Sequence, residues 1–128
     1  MLDMQSNNSQ LSIARGDIYL AEYYFDGTMR TKPVLVVQND IGNRYSPVVI
    51  VVPIVPYDGK SQGDLMSVVI DENNAEGSNL RDSCVMLNVI LTLEKSSFQE
   101  KIGALNAELM AKVEKGLLVS LGFKNIGR

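Results

Sequence analysis

Residues 33–47 read Pro-Val-Leu-Val-Val-Gln-Asn-Asp-Ile-Gly-Asn-Arg-Tyr-Ser-Pro, and this stretch carries the main information about the fold. The apolar run 34–37 predicts a central strand, because a strand that is buried on both faces lacks polar alternation. Pro33 predicts the start of that strand. Residues 39–43 include two asparagines and a glycine, which predict a turn or loop. The stretch therefore reads as one buried strand followed by a connection.

The residues on either side of this stretch predict further short strands. Residues 18–24 predict the first strand, and the pair Asp26-Gly27 predicts a tight turn inside a loop that spans residues 24–31. In a third strand at residues 48–55, Pro53 indicates an edge or a bulge. The remaining predictions are a fourth strand at 65–70 and a polar connection at 71–78. Residues 84–87 and 89–93 predict two further strand pieces or one long bent strand.

The end of the chain predicts a helix. Asn106 is a suitable N-cap, and Gly122 stands where a helix-terminating glycine belongs. Gly116 costs this helix about 1 kcal/mol relative to alanine, so tertiary packing must support it. Apolar residues recur at helical spacing between the two ends, at Leu109, Val113, Leu117 and Leu121. Short strands followed by one amphipathic helix predict an α+β fold, a small β-barrel that the helix closes on one side.

Length and hydropathy indicate one domain. The 128 residues divide into a predicted flexible N-terminal leader at 1–13, a barrel domain at 14–123 and a C-terminal tail at 124–128. The longest apolar runs, 34–37 and 48–55, are too short to span a bilayer. Residues 1–12 are polar and lack the basic-then-apolar order of a signal peptide. We therefore expect a cytoplasmic protein with no membrane partner.

Composition excludes several kinds of site. The chain has one cysteine and no histidine, so it forms no internal disulfide and lacks the usual general base and the commonest zinc ligand. Cys84 lies in an apolar run and is predicted to be a small buried residue. We expect no metal and no cofactor. The net charge is −3, so any nucleic-acid site must be a local patch on an acidic body.

Three segments in order resemble the MazF/PemK family of bacterial toxins. They are residues 15–19, residues 33–47, of which the unbroken stretch 38–47 is the most specific part, and residues 80–83. The resemblance implies an SH3-like β-barrel of the kind shared by CcdB, MazF and PemK toxins. It also implies a homodimer and a cognate antitoxin whose flexible tail blocks the active groove. The implied activity is metal-independent cleavage of single-stranded RNA at short sequences, by attack of a ribose 2′-hydroxyl that leaves a 2′,3′-cyclic phosphate.

The same resemblance identifies the positions where the family carries its catalytic groups. MazF-like members have an arginine before the strand-opening proline and a threonine near the end of the third strand; Lys32 and Val55 stand there. PemK-like members have an arginine and an aspartate on a later strand, where this chain has Met86 and Asn88. An arginine that contacts RNA is replaced by Leu91. Lysine lacks the guanidinium fork, valine lacks a hydroxyl, and asparagine does not titrate.

Nearby residues are candidates for a rebuilt site. An extended backbone places Arg30 and Lys32 on the same face, and we expect these two cations to lie nearest to a bound phosphate. Asp26 is the candidate general base. The alternative is that Asp26, Thr28 and Arg30 are solvated loop residues.

Three further residues are candidates for RNA contacts, namely Arg15, Thr28 and Arg44. For Arg44 and for Arg81 a role in the fold or in the dimer is the favoured alternative, with Asp82 as the candidate ion-pair partner of Arg81. These arginines lie within the segments that carry the family resemblance, so their positions alone do not separate the two roles.

Two main functions follow from these observations. The first is a MazF/PemK-like endoribonuclease toxin whose catalytic set has shifted to Arg30, Lys32 and Asp26. The alternative is a catalytically inactive dimer that binds an antitoxin-like peptide or another toxin subunit as a decoy or regulator. Gyrase poisoning, the activity of CcdB, depends on residues near the end of the last helix, and residues 122–128 show no equivalent.

Overall fold

A computed structural model describes residues 12–57, 66–70, 75–77, 80 and 82–124. Ser12 and Ile13 are the only residues of the predicted leader within this range, and Ile13 is buried. Of the predicted tail, only Lys124 is described. Arg81 and the roles predicted for it lie outside the described residues.

The described residues form one antiparallel sheet and two helices. The strands are β1 (Asp17–Phe25), β2 (Thr28–Val36), β3 (Val48–Pro56), β4 (Ser67–Ile70), β5 (Ala75–Gly77), β6 (Ser83–Met86), β7 (Leu91–Glu94) and β8 (Phe98–Leu105). The helices are α1 (Asp40–Tyr45) and α2 (Ala107–Ser120), and a 3₁₀ turn covers Lys95–Ser97. The strand order is β4-β6-β3-β2-β1-β8-β5, with β7 paired to β3. The sheet curls into a half-barrel, which confirms the predicted α+β fold. No described helix is long and apolar enough to cross a membrane.

The first two strands meet in a two-residue hairpin rather than in the predicted loop of residues 24–31. Asp26 and Gly27 both have positive φ, 54° and 76°. This is the combination of a type I′ turn, whose twist matches that of the flanking strands. The tight turn is thus confirmed, but Thr28 and Arg30 belong to β2 and not to a loop. Pro33 lies inside β2, opposite Leu20, and does not start the strand.

Pro53 lies inside β3 and not at a strand edge. On one side of β3 it pairs with Val34 of β2. On the other side, the pairing with β7 ends at Val51 and the pairing with β6 begins at Ile54. The expected interruption is therefore a change of partner strand. A residue without an N–H fits such a gap because no ladder bond is lost there.

The two faces of the sheet are buried in two separate cores. The first core lies under α2 and contains Ile18, Leu35, Val52, Ile54, Val85, Leu87, Leu109 and Val113, among others. The second core lies on the opposite face of β1, β2 and β3 and contains Ile13, Tyr19, Ala21, Tyr23, Val34, Val36, Val49, Val51 and Phe98. Burial on both faces explains why β2 and β3 read as continuous apolar runs. Cys84 is buried, as predicted.

Residues 39–43 form the start of helix α1, which corrects the predicted loop. The side chain of Asn39 accepts a hydrogen bond of 2.8 Å from the Gly42 N–H, an N-cap that satisfies one free donor of the first turn. A Cβ at position 42 would lie 3.0 Å from the Gln38 side chain, so only glycine fits this close approach without a shift. Six residues are too few for helical periodicity to show in the sequence.

Gln38 and Asn43 form a buried amide network between α1 and the sheet. The Gln38 Nε2 donates to Asn43 Oδ1 at 3.2 Å and to the Val48 carbonyl at 3.1 Å, while its Oε1 accepts from the Ile50 N–H at 3.3 Å. The Asn43 Nδ2 donates to the Gln38 carbonyl at 2.9 Å. Among the described residues, every buried side-chain nitrogen or oxygen has a hydrogen-bond partner. The network thus avoids the desolvation cost of unpaired buried amides.

Asp40 links this network to the start of β1. Its Oδ1 accepts from the Arg15 N–H at 2.8 Å and from Asn43 Nδ2 at 3.0 Å. The Arg15 backbone hydrogen bond is the main cause that lowers the pKa of the Asp40 carboxyl, and the bond from Asn43 lowers it further. A hydrogen bond to the charged form favours ionisation. Asp40 therefore contributes to stability as a carboxylate.

The sequence patterns miss two strands. β5 lies within residues 71–78, where the sequence predicts a connection, and pairs with residues Gly103 to Leu105 of β8. Three residues are too short for an alternation signal. β8 has no counterpart among the predicted strands. Its pairing with β1 shifts register between Ile18 and Tyr19 and again between Leu20 and Ala21, and such bulges break the period of two.

Helix α2 confirms the predicted ends. The side chain of Asn106 accepts a hydrogen bond of 3.0 Å from the Leu109 N–H. Gly122 has φ 84°, its N–H donates to Val119, and the Phe123 N–H donates to Leu118 at 2.7 Å. This bonding pattern is a Schellman motif. The predicted apolar stripe is buried at Leu109 and Val113, partly buried at Leu117 and exposed at Leu121.

We expect Asn43→Ala to destabilise the fold by about 2 kcal/mol, because it leaves the Gln38 amide with an unmet hydrogen bond in the interior. Asn43 is only 2% exposed. Urea unfolding followed by circular dichroism measures the change. Asn88→Ala is the matched control, since Asn88 is exposed, and it should change stability by less than about 0.5 kcal/mol. Equal effects of the two variants would contradict a role for the network in stability.

We expect Asp40→Asn to make stability less sensitive to acid. The pKa of Asp40 is lowered in the folded state from an ordinary value of 3.8. Its contribution is therefore complete above the unfolded-state pKa and is lost as pH falls through the folded-state pKa. The difference in unfolding free energy between wild type and variant should be largest near neutral pH and should shrink below pH 3.8. Chemical denaturation across this pH range measures it, and a difference that does not change with pH would be inconsistent with the assignment.

Candidate functional site

Strand β2 carries buried valines at one end and cations on the same face at the other. Val34 lies in the second core. Because side chains alternate along a strand, Lys32 and Arg30 are the next two residues on that face, about 6.6 Å apart. Lys32 pairs with Ala21, and Arg30 pairs with Tyr23. Burial of the valine and of Ala21 thus fixes the face from which both cations project.

Phe25 completes a group that we call the cationic hairpin face, defined as Phe25, Thr28, Arg30 and Lys32. Phe25 pairs with Thr28 beside the turn, and both follow the alternation that places Lys32 on this face. The Lys32 Nζ lies 4.8 Å from the centroid of the Phe25 ring. Such a cation–π contact contributes about 0.5–1 kcal/mol at an exposed site. The face therefore combines an aromatic ring with two positive charges.

The two cations of this face have no acidic partner within the described part of the chain. Arg30 and Lys32 form no ion pair there, whereas Arg15 pairs with Glu114 at 2.9 Å and Lys101 pairs with Asp17 at 3.2 Å. Arg30 is exposed and Lys32 is half-buried. Cations that are not neutralised within the molecule are available to an anionic ligand.

Val55 continues this face onto β3. Val34 pairs with Pro53, and Lys32 and Val55 are the next residues on the same face beyond that pair. Val55 in turn pairs with Cys84 of β6. The fold therefore brings Lys32 and Val55, which are far apart in sequence, onto adjacent strands of one face.

The other three positions identified from the family resemblance are spread more widely. Met86 lies two residues beyond Cys84 on β6 and so shares its face. Asn88 is exposed in the turn that follows β6. Leu91 opens β7, pairs with Val51 and packs against the second core. Positions 32, 55 and 86 thus share one face, whereas Asn88 lies beyond the end of its strand.

Asp26 lies in the hairpin turn, next to the residue pair that ends the cationic hairpin face. Its carboxylate is exposed and forms no ion pair with Arg30 or Lys32. The turn is two residues long, so Asp26 stays close to Phe25 and Thr28. By this register, the carboxylate lies one residue beyond the Phe25–Thr28 pair, at the end of the face that is nearer to Arg30 than to Lys32.

Two buried tyrosines precede Phe25 on the same face of β1. Burial raises the pKa of Tyr23, the residue opposite Arg30. Burial also raises the pKa of Tyr19, and the negative charge of Asp17 adds to that effect. Both phenols therefore remain protonated at neutral pH, so neither is a general base there.

Arg15 and Arg44 are not brought to this face. The Arg15 Nε donates a hydrogen bond of 3.1 Å to the Val37 carbonyl. Val37 follows Lys32 by five residues of extended chain, which places it about 16 Å from Lys32. Arg44 is exposed on α1, with its guanidinium carbon 5.9 Å from the centroid of the Tyr45 ring. Thr28 lies on the cationic hairpin face. Of the three residues predicted to contact RNA, only Thr28 adjoins Arg30 and Lys32.

An apolar groove of about 340 Å³ lies at the opposite end of β2, beside Val37. Leu121 is 56% exposed there, and Ile50 and Ile90 are also exposed. The groove is lined by Arg15, Val37, Gln38, Asn39, Ile50, Ile90, Leu117 and Leu121. The sequence gives no sign of this surface, because its apolar residues all fit the pattern of a core. Exposed apolar side chains grouped in this way are typical of a protein contact.

The cationic hairpin face has the chemistry of a phosphate site. Arg30 offers a planar fork of donors, and Lys32 offers a compact positive charge. Fixed cations of this kind stabilise an anionic transition state. Among the described residues, no group of three or more Asp, Glu, Cys or His side chains is arranged to hold a metal ion.

Phe25 is absent from the residues predicted for the site, although a signal for it exists. Once Asp26-Gly27 is read as a two-residue hairpin, cross-strand pairing follows by counting outward from the turn. Phe25 then falls opposite Thr28, on the face of Lys32. The predicted loop of residues 24–31 leaves the pairing between the two strands undefined. The position of Phe25 opposite Thr28 therefore does not follow from that prediction.

Comparison with known proteins places the chain among toxins. The model of the family described as "PemK-like, MazF-like toxin of type II toxin-antitoxin system" matches residues 14–121. The endoribonuclease MazF of Staphylococcus epidermidis is 37% identical over 116 residues, which cover 88% of this chain and 94% of the relative. These matches confirm the resemblance carried by residues 15–19, 38–47 and 80–83.

Solved structures agree with the fold. An endoribonuclease in complex with its cognate antitoxin from Mycobacterial species superimposes with a TM-score of 0.72 at 22% identity, covering 88% of this chain and 97% of that chain. A MazE–MazF structure from Deinococcus radiodurans gives 0.69 at 17% identity, covering 88% and 98%. At these identities the similarity concerns the fold, and it includes the curled sheet that carries the cationic hairpin face.

Proposed function

The chain belongs to the PemK-like, MazF-like toxin family of type II toxin–antitoxin systems, and from this premise we propose that it cleaves single-stranded RNA at the cationic hairpin face. The observation that supports this site is the pair of cations without acidic partners among the described residues, Arg30 and Lys32, on one face beside Val55. We propose that cleavage is sequence-specific and needs no metal or cofactor.

The proposed reaction is an internal phosphoryl transfer. The ribose 2′-oxygen attacks the adjacent phosphorus, a base removes its proton, the bond from phosphorus to the 5′-oxygen breaks, and that oxygen takes up a proton. The products are a 2′,3′-cyclic phosphate and a 5′-hydroxyl. Arg30 and Lys32 stabilise the negative charge that develops on the phosphorane oxygens. Asp26 is the carboxylate that we assign as the base, because it is exposed beside the same face.

The residues at the positions identified from the family resemblance lack groups that the family uses for catalysis, so the proposed site must supply those groups from other residues. Val55 offers no hydroxyl next to Lys32, and Met86 offers no charge on β6. We propose that Arg30 supplies the guanidinium fork that Lys32 lacks. The alternative of a catalytically inactive decoy rests on these substitutions alone, and neither the described residues nor the related toxins support it.

The partners follow from the same proposal. We propose a homodimer formed through the apolar groove, because its exposed leucine and isoleucine side chains would be covered there by a second copy. A cognate antitoxin is the second proposed partner, as in the Mycobacterial and Deinococcus radiodurans complexes. The proposed location is the cytoplasm, where RNA substrate and antitoxin are both available.

We expect the purified protein to cleave single-stranded RNA in the presence of EDTA and to leave 2′,3′-cyclic phosphate ends, which mass spectrometry detects. Arg30→Ala and Lys32→Ala should each lower kcat/KM by about 10²–10³, because each removes a fixed charge from the transition state. Lys112→Ala, which removes an exposed cation from α2, is the matched control and should leave the rate unchanged. No cleavage by the wild type across a diverse RNA set would refute the proposal.

We expect Leu121→Glu to disrupt the homodimer, because it places a charge in the apolar groove. Light scattering should give the mass of one 14.1 kDa chain for the variant and twice that mass for the wild type. Met29→Glu alters an exposed apolar residue on the hairpin instead and should remain dimeric. A wild-type monomer at micromolar concentration would contradict this part of the proposal.

A further inference from the structure

Phe25 is an exposed aromatic ring within a cluster of positive charge. It is 36% exposed, although it follows Tyr19, Ala21 and Tyr23 on the face of β1 that enters the second core. The core ends before the hairpin turn, so the ring projects from the end of a buried row. Phe25 is not among the residues of the second core, its ring contacts Lys32, and the exposed part of its surface is open to a ligand.

The contact with Lys32 places a charge and a flat surface side by side. The Lys32 Nζ lies 4.8 Å from the ring centroid, and Arg30 precedes it by two residues on the same face. A nucleotide presents the matching pair of groups, an anionic phosphate and a planar base. Aromatic side chains next to cations bind single-stranded nucleic acid in this way, because every base has a face that can stack.

The backbone that carries this ring is held by a tight turn. The type I′ turn at Asp26-Gly27 leaves no flexible residue between Phe25 and its partner Thr28. The backbone at Phe25 therefore loses little conformational freedom when a ligand binds beside it. Tyr24 is 70% exposed but lies on the opposite face of the same strand, where it pairs with Met29.

We propose that Phe25 is a base-stacking residue, which binds a base of single-stranded RNA while Lys32 and Arg30 hold a phosphate of the same strand. This inference rests on the proposed function, since it names how the RNA is held at that site. Stacking tolerates any base, so Phe25 contributes to the affinity for RNA rather than to the choice of sequence. An acidic peptide is the other ligand that these cations attract, and one without aromatic residues, such as poly-glutamate, offers the ring no surface on which to stack.

Tryptophan substitution gives a direct readout, because the chain contains no tryptophan. Phe25→Trp places a single fluorophore at the proposed stacking position, and Tyr24→Trp places one on the opposite face of the same hairpin. The probe is a short single-stranded RNA of randomised sequence with 2′-O-methyl riboses, which binds but cannot be cleaved. We expect the RNA to quench the tryptophan emission of Phe25→Trp strongly and that of Tyr24→Trp little. Equal quenching of the two variants, or quenching of Phe25→Trp by poly-glutamate but not by RNA, would overturn the proposal.

Binding measurements separate stacking from charge. Phe25→Leu should weaken binding of the same RNA roughly 5- to 150-fold, the range for removal of one stacking partner, whereas Tyr24→Leu should bind as the wild type does. The salt dependence should stay unchanged in Phe25→Leu. In Lys32→Ala, the slope of log affinity against log salt should fall by about 0.7, because one phosphate fewer is neutralised. Urea unfolding of Phe25→Leu checks that the sheet is intact.

The outcomes distinguish this inference from the function on which it rests. If Phe25→Leu binds RNA as tightly as the wild type while Arg30→Ala and Lys32→Ala lose cleavage, the stacking role is wrong and the proposed function stands. If the wild type neither binds nor cleaves RNA, both are wrong. Rescue of tight binding by Phe25→Tyr, which restores a ring of similar size, supports stacking over a merely apolar contact.

Discussion

Two buried amide side chains, Gln38 and Asn43, exchange hydrogen bonds at the junction of α1 and the sheet, and the surrounding backbone depends on them. Gln38 also satisfies the backbone of β3 at Val48 and Ile50, where the strand has just emerged from the connection. Through Asp40, the network reaches the backbone of Arg15 at the entry to β1. The hydrogen bonds of this network thus hold β1, β2 and β3 together near Gln38. The stretch 38–43 is therefore structural, and the cations of the proposed site lie at the other end of β2.

That separation follows from the alternation of β2. The same face that buries Val34 and Val36 continues outward to Lys32 and Arg30. Packing in the second core thus sets where the cations point, with no hydrogen bond needed to orient them. The cations remain free to bind a phosphate because no acidic residue in the described part of the chain neutralises them. The residues that stabilise the fold at one end of β2 are therefore separate from the cations at its other end.

Features that rest on local chemistry are predictable from the sequence. Asn106 and Gly122 mark the ends of α2 because capping and positive φ need particular residue types. Asp26-Gly27 marks a tight turn for the same reason. The segments 15–19 and 38–47 indicate the family, and with it the sheet. The common face of Arg30 and Lys32 follows from the period of an extended strand.

Other features depend on contacts that a sequence does not display. Helix α1 is too short for periodicity and depends on a cap at Asn39 and on burial of Asn43, which resembles a loop residue in sequence. Strand β8 is hidden by two register shifts against β1. The position of Val55 beside Lys32 requires the pairing of β2 with β3, and no local pattern gives that register. The exposure of Leu121 also becomes visible only after the helix is docked on the sheet.

The two-residue turn at Asp26-Gly27 has a consequence for how binding preference can change in this protein. A long connection between two strands can adopt several shapes and can fold over a guest molecule, so insertions and deletions within it alter selectivity. Here the two strands beside the cations are joined by a two-residue turn, which leaves no flexible loop. Both turn residues have positive φ, which few amino acids tolerate. A change in ligand selectivity must therefore come from substitution of individual side chains on the hairpin. The hairpin itself cannot close over a ligand.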